Sequence, residues 1–146
     1  MAEDETGLSK GERDAVKELA AERRRQSSRK GADKKAKDLQ DVLDAIDKLP
    51  DADKAIAATL HEVITKAAPE LDPKTWYGFP AYAKDGKVVV FWQPASKFDT
   101  RYGQLGFNDS AALDEGSMWP VSFAIATMTK ANEAEVRRLV TRAVAE

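Results

Sequence analysis

Residues 81–93 read AYAKDGKVVVFWQ, two extended runs, Ala81 to Lys84 and Lys87 to Gln93, on either side of Asp85-Gly86. Asp-Gly tolerates the positive φ that both central residues of a type I′ turn require, so the stretch predicts a β-hairpin. A tight turn here sets Tyr82 across from Val89 and Ala83 across from Val88. One face then carries Ala81, Ala83, Val88, Val90 and Trp92. The other carries Tyr82, Val89 and Phe91, too apolar to face water alone, and needs a helix, a partner or a ligand over it.

Working downstream, Arg101 to Phe107 reads as a third strand, Asp109 to Glu115 as a short helix closed by Gly116, and Val121 to Thr127 as a fourth strand. The last helix starts near Thr129, with Val136, Leu139, Val140, Ala143 and Val144 on its buried side and Glu133 spaced to pair with Arg137. Upstream, Leu39, Val42, Leu43, Ile46 and Leu49 recur at helical spacing as far as Pro50. Asp51 is placed to cap a second helix whose inner face is Ile56, Leu60, Val63, Ile64 and Ala67, stopped by Pro69. A tight turn at Pro50 makes the two antiparallel. Helices beside neighbouring strands joined by short loops give an α+β fold: an antiparallel sheet, a three-stranded meander plus a fourth strand, packed with helices.

The N-terminal quarter is different in kind. Ser9 and Glu12 have capping-box spacing, and the strong helix formers that follow predict a helix from about Lys10 to Arg25. Its apolar stripe, Ala15, Val16, Leu19 and Ala20, is thin, so the helix either docks lightly or projects. Arg23 to Lys37 holds eight cationic side chains against Asp33, and Ser27, Ser28 and Gly31 interrupt it, the pattern of a hinge or linker. The chain divides on this basis into a charged helical arm and basic linker, 1–37, and an α+β domain, 38–146.

At 146 residues there is length for one core of ordinary size. The absence of cysteine excludes disulfides, thiolate nucleophiles and zinc-thiolate sites. The start, MAEDETGLSKGERDAV, has no apolar h-region, and no run approaches the roughly 18 apolar residues of a membrane span, so a cytoplasmic protein without membrane contact is expected. The basic run lacks the aromatics that stack bases, which makes nucleic acid an unexpected partner beyond non-specific phosphate contact. GxSxG, P-loop, GxGxxG and HExxH motifs are all missing, and the single histidine, His61, lies on the flank of the second helix. A non-enzymatic binding protein that requires no cofactor is the expectation.

Two residue sets could carry binding. Asp38, Asp41, Asp44 and Asp47 recur every third residue, a ridge of hard oxygen donors. Asp41, Asp44 and Asp47 are the candidate ligands for weak binding of Fe(II) or another divalent cation, although a solvated helix face has the same pattern. Trp76, Tyr77, Tyr82, Trp92, Tyr102 and Trp119 share a stretch with Lys97 and Arg101. Cations interspersed with aromatics suit a groove for a small anion or a protein partner, while Gly78, Pro80 and Gly106 read as turn or close-packing residues.

Several spaced motifs carry a resemblance. Trp76-Tyr77-Gly78-Phe79-Pro80-Ala81-Tyr82, Asp85-Gly86-Lys87, Lys97-Phe98, Arg101-Tyr102, Leu105-Gly106-Phe107 and Trp119-Pro120 together resemble the YdhG-like family, domain of unknown function 1801. The similarity runs from about Leu39 to the C-terminus, and the arm around Glu12, Arg13 and Ala15 looks like that of longer members. The family includes a frataxin-like intracellular iron chaperone, so the resemblance implies iron or divalent-metal handling.

Overall fold

A computed structural model of the protein describes residues 7–145. Three helices, α1 (Lys10–Ser27), α2 (Gly31–Asp47) and α3 (Asp51–Ala67), precede strands β1 (Asp72–Trp76), β2 (Phe79–Lys84) and β3 (Lys87–Gln93). A 3-10 turn (Ala95–Lys97), β4 (Gly103–Phe107), β5 (Ser122–Ile125) and α4 (Lys130–Ala143) follow. The strands form one antiparallel sheet in the order β1-β2-β3-β4-β5, an α+β architecture as the sequence pattern implies. The meander has one more strand than that pattern shows. β1 reads DPKTW, without alternation of apolar residues, and an edge strand can carry both the proline and the lysine.

The Asp85-Gly86 turn forms, with φ of 51° and 81°. Ala83 pairs with Val88 as expected, but Tyr82 pairs with Val90, because Val89 is an extra residue bulged out of the ladder. The bulge changes which residues share a face. Tyr82, Val90 and Trp92 belong to the main core, whereas Ala81 and Phe91 pair on the opposite face, with Gly106 opposite Phe91 on the next strand.

The main core lies between the sheet and α2, α3 and α4, whose buried side chains include Val42 and Ile46, Ile56, Leu60 and Ile64, and Val136, Leu139 and Val140. Leu43 is 40% exposed instead of buried, and Asp38 takes an inward position on the same helix. Pro50, not Asp51, occupies the N-cap of α3, and its carbonyl accepts from Lys54 N at 2.8 Å. Residues 109–111 form a turn and 112–115 run without regular structure where the sequence predicts a helix. Ala111 and Leu113 insert into the core, and Ala112 N donates to Ala143 O at 2.9 Å, so the segment bonds to the end of α4 instead of coiling on itself. Glu133 meets Lys130, 3.4 Å away, in place of the Arg137 that its spacing suggests.

The basic stretch is shorter than its composition implies, because α2 starts at Gly31 and takes up residues 31–37 as its first turns. The N-terminal helix docks. Ala15 and Glu22 are buried, and the Ser9/Glu12 capping box is complete, at 3.1 and 3.2 Å. Ser9→Ala is expected to lower stability by about 1 kcal/mol, the usual worth of an N-cap. An unchanged melting temperature would mean that this end of α1 is frayed in solution.

Candidate functional site

The position of α1 follows from the edge of the sheet. Thr75 of β1 pairs with Pro80 of β2. Pro80 has no N–H, so this is a non-hydrogen-bonded pair, and the Thr75 amide and carbonyl point outward from the sheet. α1 lies along that edge and bonds to its carbonyl and to the turn beyond it. Gln26 Nε2 donates to Thr75 O at 3.0 Å, and Gly78 N donates to Glu22 Oε1 at 2.6 Å. Tyr77 and Gly78 both have positive φ, 52° and 83°, so the β1–β2 turn presents backbone N–H groups to the Glu22 carboxylate. Glu22 is 2% exposed, and its burial raises its pKa above the ordinary glutamate value against the lowering effect of the Gly78 N–H. Near the 3-10 turn, Lys97 pairs with Glu18.

A cleft of about 650 Å³ opens between the C-terminal half of α1, β1 and the β2–β3 turn. Arg23 and Gln26 line it from α1, Lys74, Thr75 and Trp76 from β1, Lys87 and Val88 from β3, and Asn108, Asp109 and Ser110 from the segment after β4. Among the described residues, none of Arg23, Lys74 and Lys87 has a carboxylate within ion-pair distance. Lys74 is half-buried, and its ammonium is held below the usual lysine pKa by burial first, then by Lys34 and Arg23, against the opposing pull of Asp38 and Glu22. Several cations on the neighbouring helices are ion-paired, Arg29 with Asp38 and Asp41, Lys34 with Asp38, and Lys54 with Asp47.

The aromatic and cationic set picked out in the sequence is divided among several places. Tyr82 and Trp92, each 1% exposed, are core residues, because strand parity and the Val89 bulge turn them away from Trp76 and Phe91. The Tyr82 hydroxyl meets His61 Nδ1 at 2.9 Å, and burial lowers the pKa of this half-buried histidine. Trp76 and Tyr77 join Phe79 and Phe91 on the other face, with Trp76 ring centroids 4.9 Å from Tyr77 and 5.2 Å from Phe91. Arg101 stacks over the neighbouring Tyr102 ring at 5.2 Å and is exposed. Trp119 packs partly against the core. Of the set, only Trp76 reaches the cleft with the unpaired cations. Arg23, Lys74 and Lys87 were hidden in sequence because they sit on three separate elements, and Lys74 in DPKTW looks like an ordinary edge-strand lysine.

The acidic ridge is drawn into ion pairs and hydrogen bonds. Arg29 binds Asp41 at 2.7 Å, Gln40 donates to Asp44 at 2.9 Å, and Lys54 binds Asp47 at 2.9 Å. Asp41 and Asp44 share a second cleft, of about 560 Å³, with Glu18, Arg25, Lys48 and Lys97. Among the described residues, no three histidine, aspartate or glutamate side chains are grouped to hold a metal ion. Compared with protein-family models, with curated proteins and with solved structures, the chain matches none.

Proposed function

We propose that the protein binds a small anionic ligand in the cleft between α1 and β1. The observation that carries this reading is the convergence of Arg23, Lys74 and Lys87, none of them ion-paired among the described residues, with Lys74 half-buried. An ammonium partly withdrawn from water without a counter-ion is destabilising, and a bound anion relieves it. A volume of about 650 Å³ is within the range of small-molecule sites, and Trp76, Leu19 and Val88 supply an apolar wall beside the charges. Iron or divalent-cation handling, which the family resemblance implies, would require Asp41 and Asp47 to exchange Arg29 and Lys54 for the ion, and is the weaker reading. Among the described residues no helix is long and apolar enough to cross a membrane.

The test is thermal denaturation at low ionic strength with orthophosphate, pyrophosphate or citrate. Ligand bound only to the native state stabilises by mass action, about 2.7 kcal/mol at one hundred times Kd. The wild type should be stabilised, and added sodium chloride should weaken the effect by screening. Lys74→Gln should melt at the same temperature or slightly higher without ligand and should lose the ligand-induced rise. Equal ligand effects in both proteins, or no effect of any anion at millimolar concentration, would sink the proposal.

A further inference from the structure

We infer that Lys74 is a nucleophilic amine that captures the carbonyl carbon of a 2-oxo carboxylate as an imine, with Arg23 and Lys87 holding the carboxylate group. This rests on the anion-binding reading of the same cleft and adds a covalent step to it. A 2-oxo acid carries its carbonyl carbon directly beside its carboxylate. Cations on two walls of the cleft that hold the carboxylate therefore bring the carbonyl carbon to an amine on the third. Lys74 supplies that amine from β1, with Arg23 facing it from α1 and Lys87 lining the cleft from β3. The charged groups around it are Glu22 and Arg23 of α1, Lys34 and Asp38 of α2, Lys87 of β3, and Asp109 after β4. Burial and the neighbouring cations favour the uncharged amine, the form that attacks.

In the reaction the nitrogen lone pair forms a bond to the carbonyl carbon, and the C=O π electrons move to oxygen, which takes up a proton. The nitrogen loses its two protons and the hydroxyl leaves as water, giving the imine. One water is released per ligand captured, and no oxidant or reductant takes part.

The experiment uses the full chain with pyruvate and cyanoborohydride at neutral pH, followed by peptide mapping, with lactate as the matched anion that has no carbonyl. Lys74 should acquire the reduced adduct several-fold faster than the exposed Lys66 and Lys130, because the cleft cations hold the carboxylate beside it and burial favours its uncharged amine. Lactate should slow the labelling of Lys74 and leave that of Lys66 unchanged. Arg23→Gln with Lys87→Gln should remove the advantage of Lys74, and Lys74→Arg should leave only the background adducts on a protein with unchanged melting temperature. Uniform labelling of all lysines with lactate or phosphate still stabilising the protein would overturn the imine and leave anion binding standing. Uniform labelling without any stabilisation by these anions would overturn both.

Discussion

Trp92→Ala is expected to cost about 3–5 kcal/mol, the usual penalty for emptying a large aromatic site in a core. Trp92 is 1% exposed, pairs across the ladder with Leu105, and belongs to the cluster that joins the sheet to the helices. Gly103, at the start of β4, is its seat. A Cβ there would overlap Cζ2 and Cη2 of the Trp92 ring and come within 3.0 Å of Gln93 O. Gly103→Ala should therefore cost about 1–3 kcal/mol by overpacking. The two effects should not add: with Trp92 truncated, the methyl group occupies space the ring has vacated, and the Gly103→Ala penalty should shrink. Urea denaturation of the four proteins in the cycle measures this. An additive result would mean that Gly103 serves the backbone alone.

Glu22→Ala is expected to cost about 1–3 kcal/mol, because it removes a buried side chain and leaves the part-buried Gly78 amide without its acceptor. Amide exchange should quicken along α1 and leave β2 to β4 protected. Glu22→Gln keeps the acceptor and drops the charge, so it should preserve α1 docking and change the pH dependence. The folded pKa of Glu22 is raised, so the folded state holds its proton more tightly than the unfolded chain does. The stabilising contribution is complete below the unfolded pKa, about 4.3, and is lost as pH rises through the folded value. His61 acts in the opposite sense: its lowered pKa makes stability fall as pH drops through about 6.5. Subtracting the wild-type stability curve from that of Glu22→Gln removes the histidine contribution common to both. The difference should grow in favour of the variant as pH rises from 4, and a flat difference would show that Glu22 titrates normally.

Local chemistry made much of the fold legible. Asp85-Gly86, the Ser9/Glu12 box, the 3.6-residue stripes of α2, α3 and α4, and the β-branched and aromatic run of β3 each act within a few residues of themselves. What the sequence concealed depends on distant partners. β1 is polar because α1 covers its edge, Val89 bulges where a simple register predicts continuous pairing, and residues 109–115 bond to α4. α1 looks like a thin amphipath because its docking rests on Glu22, Gln26 and Glu18 side chains, which hydropathy counts as solvent-facing. The candidate site suffered most. A pocket gathers residues by position in space, and Arg23, Lys74 and Lys87 share no spacing that a linear pattern can display.

Because every strand pairs with the next one in the chain, the sheet forms through local connections, the longest being residues 108–121, and none of its strand pairings involves the N-terminal helix. α1 is the exception. Its anchoring bonds to Thr75, Gly78 and Lys97 span 49, 56 and 79 residues. During synthesis it is made before its partners and can seat only after the β1–β2 turn and the 3-10 turn have emerged. The cleft over Lys74, walled by elements far apart in the chain, is thus the first part of the molecule to open if the helix lifts away from a sheet that stays intact.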